Sequence, residues 1–281
     1  MMHTQVDIGL ILSVLMYEMN YPEYFKKCRS NFHDESKPSL EDFYNNPVHI
    51  IPRDRFNISY MSAVYKLSQC VKKDLDKKEQ TGIMINHPNF WKFEEQVKTI
   101  CDYLVPHLEK HVFGCNLYVD KVYIYRTCEC ERSSSYLWHY DNNPQEVVKT
   151  IIYLNDVNLD NSPFEYLVNE KGQGVLAKST RIGPGPNEWI SPPNQSRITD
   201  KEMINMLAMD YKNKLLLGKM GTTCAFSNDA IHRANPVIKG YRDVINIRVK
   251  PTLNKVNSYL DKKHTTSFET SGSVNPNPEA R

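Results

Sequence analysis

The longest helical periodicities in this chain stop before residue 113, and most of the remaining sequence reads as strand. Residues 61–75 place Val64, Leu67, Val71 and Leu75 on one helix face, and residues 90–105 do the same with Phe93, Val97, Ile100 and Leu104. Pro106 predicts the end of the second helix, since proline removes a helical N–H and crowds the preceding turn. Residues 117–125 then alternate and are rich in Val and Tyr, and 147–154 form a tight β-branched run. Between 161 and 200 stand Pro163, Pro184, Pro186, Pro192 and Pro193 with Gly172, Gly174, Gly183 and Gly185. That density predicts a long irregular loop, a lid or insertion over the mouth of the domain. A short helix candidate comes next, then strands near 221–227 and 243–249. Helices first and strands afterwards indicate an α+β, mainly β fold whose strands close a sandwich or barrel. Residues 1–263 read as a single domain: 1–112 mainly helical, 113–252 the strand core with the 161–200 loop. The Ser, Thr, Asn and Pro content of 264–281 predicts a disordered tail.

Composition excludes several classes. With 281 residues, 40% hydrophobic and 24% charged, the chain can bury a sizeable core without staples. Lys+Arg 35 against Asp+Glu 33 leaves +2, too even to expect nucleic acid or an anionic membrane as partner. The apolar stretch at residues 8–16 is too short for a membrane span and lacks the basic flank of a signal peptide. Seven cysteines are an odd count with no second close pair beside Cys128 and Cys130, so a reduced, cytoplasmic protein is expected. His107 and His111 stand four apart but lack a metal-site order, and a solvated helix face or turn is the better reading.

The segment that carries chemistry is Trp138-His139-Tyr140-Asp141. In a strand, His139 and Asp141 point to one face and offer a nitrogen and an oxygen to the same point. A lone H-x-D is as well explained by a strand end, so the motif needs partners. His232 lies downstream, and two imidazoles with one carboxylate make the facial triad that leaves a metal open positions. Arg242 stands ten residues later at the start of a strand. Arg242, Asn246 and Arg248 fall on one face of that strand, and Ile245, Ile247 and Val249 on the other. A guanidinium so placed forks onto a carboxylate about one small-molecule length from the metal.

H-x-D, a distant His and an Arg about ten residues later resemble the iron(II)/2-oxoglutarate-dependent dioxygenases. The stretch "LWHYDNNP…VVKTIIYLNDVNLDNSPFEYLV" is similar to their phytanoyl-CoA dioxygenase-like branch, over roughly residues 117–252. Ser162 stands where that branch has a turn glycine, and "VNEKGQG" replaces its "PGSH". The resemblance implies a double-stranded β-helix (jelly-roll, cupin-like) core with N-terminal helices packed on it. It implies Fe(II) held by His139, Asp141 and His232, 2-oxoglutarate as co-substrate held at its far carboxylate by Arg242, and O2 as oxidant. Lys149 is the candidate for a second contact to that carboxylate, with Tyr153 on the same face; either residue equally suits surface or packing. The reaction implied is oxidative decarboxylation of 2-oxoglutarate to succinate and CO2, coupled to oxidation of a C–H bond. Halogenating relatives replace the carboxylate by a small residue, so Asp141 favours hydroxylation. The substrate expected is a small-molecule or carrier-linked compound, its identity open. The competing reading is a non-catalytic jelly-roll protein that keeps a metal for binding or sensing. Arg242 discriminates, because a structural metal has no need of a carboxylate anchor beside it.

Overall fold

The computed structural model describes residues 21–79, 84–129, 134–141, 143–177 and 197–267. Helix α1 covers residues 21–30, α2 runs Leu40–Asn45, α3 Ile58–Leu75, α4 Glu94–Leu108 and α5 Asp200–Ala208. Asn57 caps α3 by accepting from the Tyr60 N–H, and α2 and α5 open on reciprocal capping boxes, Ser39 with Asp42 and Thr199 with Glu202. The faces predicted by periodicity are the buried ones: Val64, Leu67, Val71 and Leu75 on α3, Val97, Ile100 and Leu104 on α4.

Pro106 does not end α4. The helix runs on to Leu108 and through one π turn, Glu109–Phe113, before Gly114 at φ 62 stops it. A proline deletes only one donor, and the buried run of Leu104, Val105, Leu108, Val112 and Phe113 outweighs that loss. A Cβ at Gly114 would meet the Arg29 guanidinium at 2.8 Å, so glycine suits both the left-handed backbone and the space.

Among the described residues nine strands form two antiparallel sheets. They are β1 Val48–Ile51, β2 Met84–Asn86, β3 Asn116–Thr127, β4 Val148–Tyr153, β5 Phe164–Val168, β6 Lys212–Leu216, β7 Thr223–Ser227, β8 His232–Ala234 and β9 Arg242–Thr252. The larger sheet has the order β1-β7-β4-β9-β3-β2 and the smaller β6-β5-β8. Their inner faces meet through Phe164 and Phe226, ring centroids 4.7 Å apart, within a cluster that also holds Ile151, Tyr153 and Val244. This is the double-stranded β-helix. The outer face of the larger sheet packs on α3 and α4 through Ile245, Ile247 and Val249, the face that strand alternation predicts. Among the described residues every helix is too short or too polar to cross a membrane, and every cysteine is free.

Two further expectations need correction. The stretch 161–200 is not irregular throughout. Strand β5 begins at Phe164, and residues 169–177 turn back along it, with Val175 N–H donating to the Leu167 carbonyl and the Ile231 N–H to that of Val175. The Pro and Gly count missed this because Pro163 sits just before the strand and Gly172 in the turn after it. Residues 178–196, most of the expected lid, lie outside the described residues. The tail is also not free from its start: the Thr265 hydroxyl donates to the Val119 carbonyl, and Val122 N–H to that of Thr266, which tie residues 265–266 along β3. Residues 268–281 lie outside the described residues.

Candidate metal centre

His232 opens β8, and the segment before β4 lies beside it. The His139 N–H donates to the His232 carbonyl and the His232 N–H to that of His139, each at 2.9 Å, while Asp141 N–H donates to the Asn228 carbonyl at 2.7 Å. This pairing brings together residues 93 and 87 positions apart in the chain. The two imidazole rings lie 4.3 Å apart at their centroids. The ligand atoms of His139, Asp141 and His232 all fall within 4.8 Å of one another, the one such group of three or more metal-ligating residues among the described residues.

Main-chain carbonyls fix both tautomers. Nδ1 of His139 lies 2.7 Å from the Leu137 carbonyl and Nδ1 of His232 lies 2.8 Å from that of Ala230. A carbonyl only accepts, so each Nδ1 carries the proton and each Nε2 keeps its lone pair. Burial, reinforced by the neighbouring His232, pushes His139 down to about 3, and burial likewise lowers His232. Both are therefore neutral ligands at physiological pH. Burial alone would raise the Asp141 carboxyl, but Lys149 first, then His232 and His139, hold it well below the usual range. The site thus presents two neutral nitrogens and one ionised carboxylate, the donor set of an open divalent metal site.

A cavity of about 260 Å³ lies against this group. Its far wall is the inner face of β4, β9 and β3, whose register stacks side chains in rungs. In register order Arg242 pairs with Thr127; next come Tyr153, Val244 and Tyr125, then Ile151, Asn246 and Tyr123, and finally Lys149, Arg248 and Lys121, and of these Arg242, Thr127, Tyr125, Ile151, Asn246, Tyr123 and Lys149 line the cavity. Arg242 is 2% exposed. Its Nη2 donates to the Thr127 hydroxyl at 3.1 Å, and its Nε and Nη1 are buried with no hydrogen-bond partner among the described residues. The adjacent Asp243 does not serve it. That carboxylate faces the other side of β9 and is taken bidentately by Arg126, at 2.7 and 2.8 Å. A buried guanidinium with two donors unanswered among the described residues calls for a planar anion.

The other sequence candidates divide. Lys149 lines the cavity, with Nζ on Asp141 Oδ2 at 2.6 Å. Tyr153 does not line it: its hydroxyl accepts from Phe164 N–H at 3.0 Å and donates to the Leu216 carbonyl at 2.8 Å, and burial pushes it up to about 12. It is a packing residue that joins the two sheets, which corrects its candidacy as an anchor. Arg248 is held by Asp120, and Cys224 is fully buried. Trp138 is buried under the Arg233 guanidinium, 4.7 Å away, and Trp189 lies outside the described residues. His107 and His111 have rings 4.7 Å apart on α4 and its π turn, with no third ligand assembled beside them among the described residues. Thr127 and Asn246 also line the cavity. Thr127 escaped sequence reading because its link to Arg242 exists only through the β3–β9 register.

No family profile matches the chain, and no curated protein matches it. Solved structures of similar chain course exist. HygX from Streptomyces hygroscopicus, with nickel and 2-oxoglutarate bound, matches with a TM-score of 0.49 at 12% identity, over 78% of this chain and 89% of that one. The non-heme, alpha-ketoglutarate-dependent carbocyclase SnoK from nogalamycin biosynthesis matches at 0.48 and 13%, over 81% and 90%. EctD from S. alaskensis with bound Fe matches at 0.45 and 12%, over 83% and 82%. Likeness at this level assigns no chemistry; the donor set has to do so.

Proposed function

We propose that the chain is an iron(II)- and 2-oxoglutarate-dependent dioxygenase that hydroxylates a C–H bond of a small-molecule or carrier-linked substrate. The observation that carries the reading is the pairing, in one cavity, of a His139–Asp141–His232 donor set with the unanswered Nε and Nη1 of Arg242. A structural metal needs no buried cation a few residues' width away, whereas a dicarboxylate that chelates the metal at one end requires one at the other. The residues fit both groups: two neutral imidazoles and a carboxylate suit iron(II), and a forked guanidinium suits a carboxylate.

His139 and His232 would ligate through Nε2, their rings held by the Leu137 and Ala230 carbonyls. Asp141 would supply the third ligand while Lys149 holds its Oδ2. Arg242, steadied by Thr127, would take the distal carboxylate of 2-oxoglutarate. Iron bound there supplies the chemistry that couples O2 and 2-oxoglutarate to succinate, CO2 and one hydroxylated product. Phe164, Phe226 and Ile151 line the cavity and keep water from the reacting end. On this reading residues 1–263 form one oxygenase domain.

The test is anaerobic binding and then turnover. Wild-type protein should take up iron(II) and 2-oxoglutarate together and, on admission of air, release succinate. His232→Ala should abolish succinate formation with the fold retained, because the ligand belongs to a preformed barrel. Normal succinate formation by His232→Ala would sink the assignment.

A further inference from the structure

Arg242 stands at the loose end of its ladder. It is the first residue of β9, and Thr127 opposite it is the last of β3. On the β4 side pairing reaches Val244, and Leu154 N–H donates to the Asp243 carbonyl at 2.8 Å. Element ends are where a fold opens first, because the terminal residues have neighbours on one side only. A forked grip on a carboxylate nevertheless needs its guanidinium held to within about 0.5 Å. The ladder and the bond to Thr127 are a thin basis for that precision.

Two residues outside the cavity converge on this end. Arg126 lies directly across from Asp243, one step in from Thr127. On the outer face of the sheet its guanidinium takes both oxygens of Asp243, at 2.7 and 2.8 Å, and lies 3.8 Å over the Tyr241 ring. Its Nη1 donates to Asp76 at 2.7 Å, which ties the end of the ladder to the end of α3. One side chain thus grips the residues on both sides of Arg242 and adjoins, along β3, the threonine that Arg242 contacts. Asn155, just after β4, brackets the main chain at the same place. Its Oδ1 accepts from Asp243 N–H at 2.7 Å and its Nδ2 donates to the Tyr241 carbonyl at 3.0 Å. Asn161 Nδ2 adds a bond of 3.1 Å to that carbonyl.

Residues 241 and 243 are therefore held twice, by side chain and by main chain, and alternation leaves Arg242 between them to point the other way. Stability alone gives a weak reason for such a cluster. A buried ion pair adds little over apolar packing of the same volume, and its best-attested use is to select one arrangement. We propose that Arg126 and Asn155 are positioning residues for the co-substrate: from behind the sheet they aim the Arg242 guanidinium at the distal carboxylate of 2-oxoglutarate. The proposal rests on the oxygenase reading, which gives Arg242 that ligand.

The experiment is anaerobic titration of the iron(II)-loaded protein with 2-oxoglutarate, for wild type, Arg126→Lys and Asn155→Ala, and for each change combined with Arg242→Ala. Arg126→Lys keeps a charge for Asp243, and Asn155 is a half-buried neutral amide, so its loss strands no charge should the lysine variant fail to fold. Each single change should weaken 2-oxoglutarate by at least roughly tenfold, the loss of one prong of a charge-assisted pair, with iron(II) affinity unchanged. In the Arg242→Ala background neither change should weaken it further, because a residue that acts through Arg242 has nothing left to aim. A merely structural role predicts the reverse: a lower denaturation midpoint, wild-type affinity in the folded variants, or losses that add to that of Arg242→Ala. Any of these for a given residue overturns its assignment. If wild type takes up no 2-oxoglutarate, the oxygenase reading fails and the proposal falls with it; if wild type binds and the variants bind equally well, the proposal alone falls.

Discussion

Arg242 is the residue whose replacement should divide co-substrate binding from metal binding. If its guanidinium pairs with the distal carboxylate of 2-oxoglutarate, truncation to Ala leaves that carboxylate buried and unpaired, a loss of about 3–5 kcal/mol. That corresponds to an affinity loss on the order of a hundredfold or more. Arg242→Lys should recover part of it, since a point charge cannot reproduce the two-pronged grip. Iron content should be unchanged, because the residue touches no ligand of the triad. Anaerobic titration with 2-oxoglutarate, with iron measured in parallel, checks both; wild-type affinity in the Ala variant would place the anchor elsewhere. His139, Asp141, His232 and Arg242 stand out in the sequence through their combined spacing, and the structure brings all four to one cavity. The partners that tune them do not. Lys149 reads from sequence as a co-substrate anchor, yet its Nζ lies on Asp141, and Tyr153 on the same face spends its hydroxyl on main-chain groups. Parity tells which face a side chain takes and is silent on which neighbour reaches it first.

At the scale of elements, helix faces are the most legible feature, since four apolar residues at helical spacing leave one face to bury. Short strands are the least legible: β1 and β2 have four and three residues, too few for an alternation to stand out. The bulge in β3 is invisible for another reason. Asp120 looks like one more polar residue in an alternating run, and only the register against β9 shows it as the extra residue. Its role there can be tested. Asp120 is almost wholly buried and, among the described residues, is the carboxylate that pairs with both Arg248 and Lys250. Burial alone would raise it, but Arg248 and then Lys250 bring it below the usual carboxylate value. Asp120→Ala leaves two cations buried without this counter-charge, so it should destabilise the protein by about 3–5 kcal/mol. Chemical denaturation of wild type and variant measures this. A loss under about 1 kcal/mol would mean that water reaches these cations and the pair behaves as a surface one.

At the scale of the whole molecule, the order of strands is what no local pattern contains. Texture predicts helices against a β core, but the placement of β9 between β4 and β3 decides which side chains share the cavity. The same packing buries His87, His139 and His232 and half-buries His49 and His107, and this sets how stability responds to acid. His49, His107 and His139 are pushed down to about 4, about 4 and about 3, each first by burial, and His87 and His232 are also lowered by burial. In the unfolded chain each titrates near 6.5. Above that pH all five are neutral in both states and contribute no slope. Below it the unfolded chain binds protons that the folded protein refuses, so stability falls as pH drops from about 6.5 toward 4. Glu109 and Asp243 act in the opposite sense, because burial raises both and the folded state then binds the extra protons. They are two groups against five, so the net slope between roughly pH 6.5 and pH 5 has the sign of the histidines. The denaturation midpoint of metal-free protein should therefore be nearly flat above about pH 7 and decline steadily below it. A double change, His49→Gln with His107→Gln, removes two of the five groups and should flatten that decline without touching the metal site. A midpoint that stays level from about pH 7 to pH 5 would show that these imidazoles take up protons in the folded protein, and that water reaches the side chains that the structure buries.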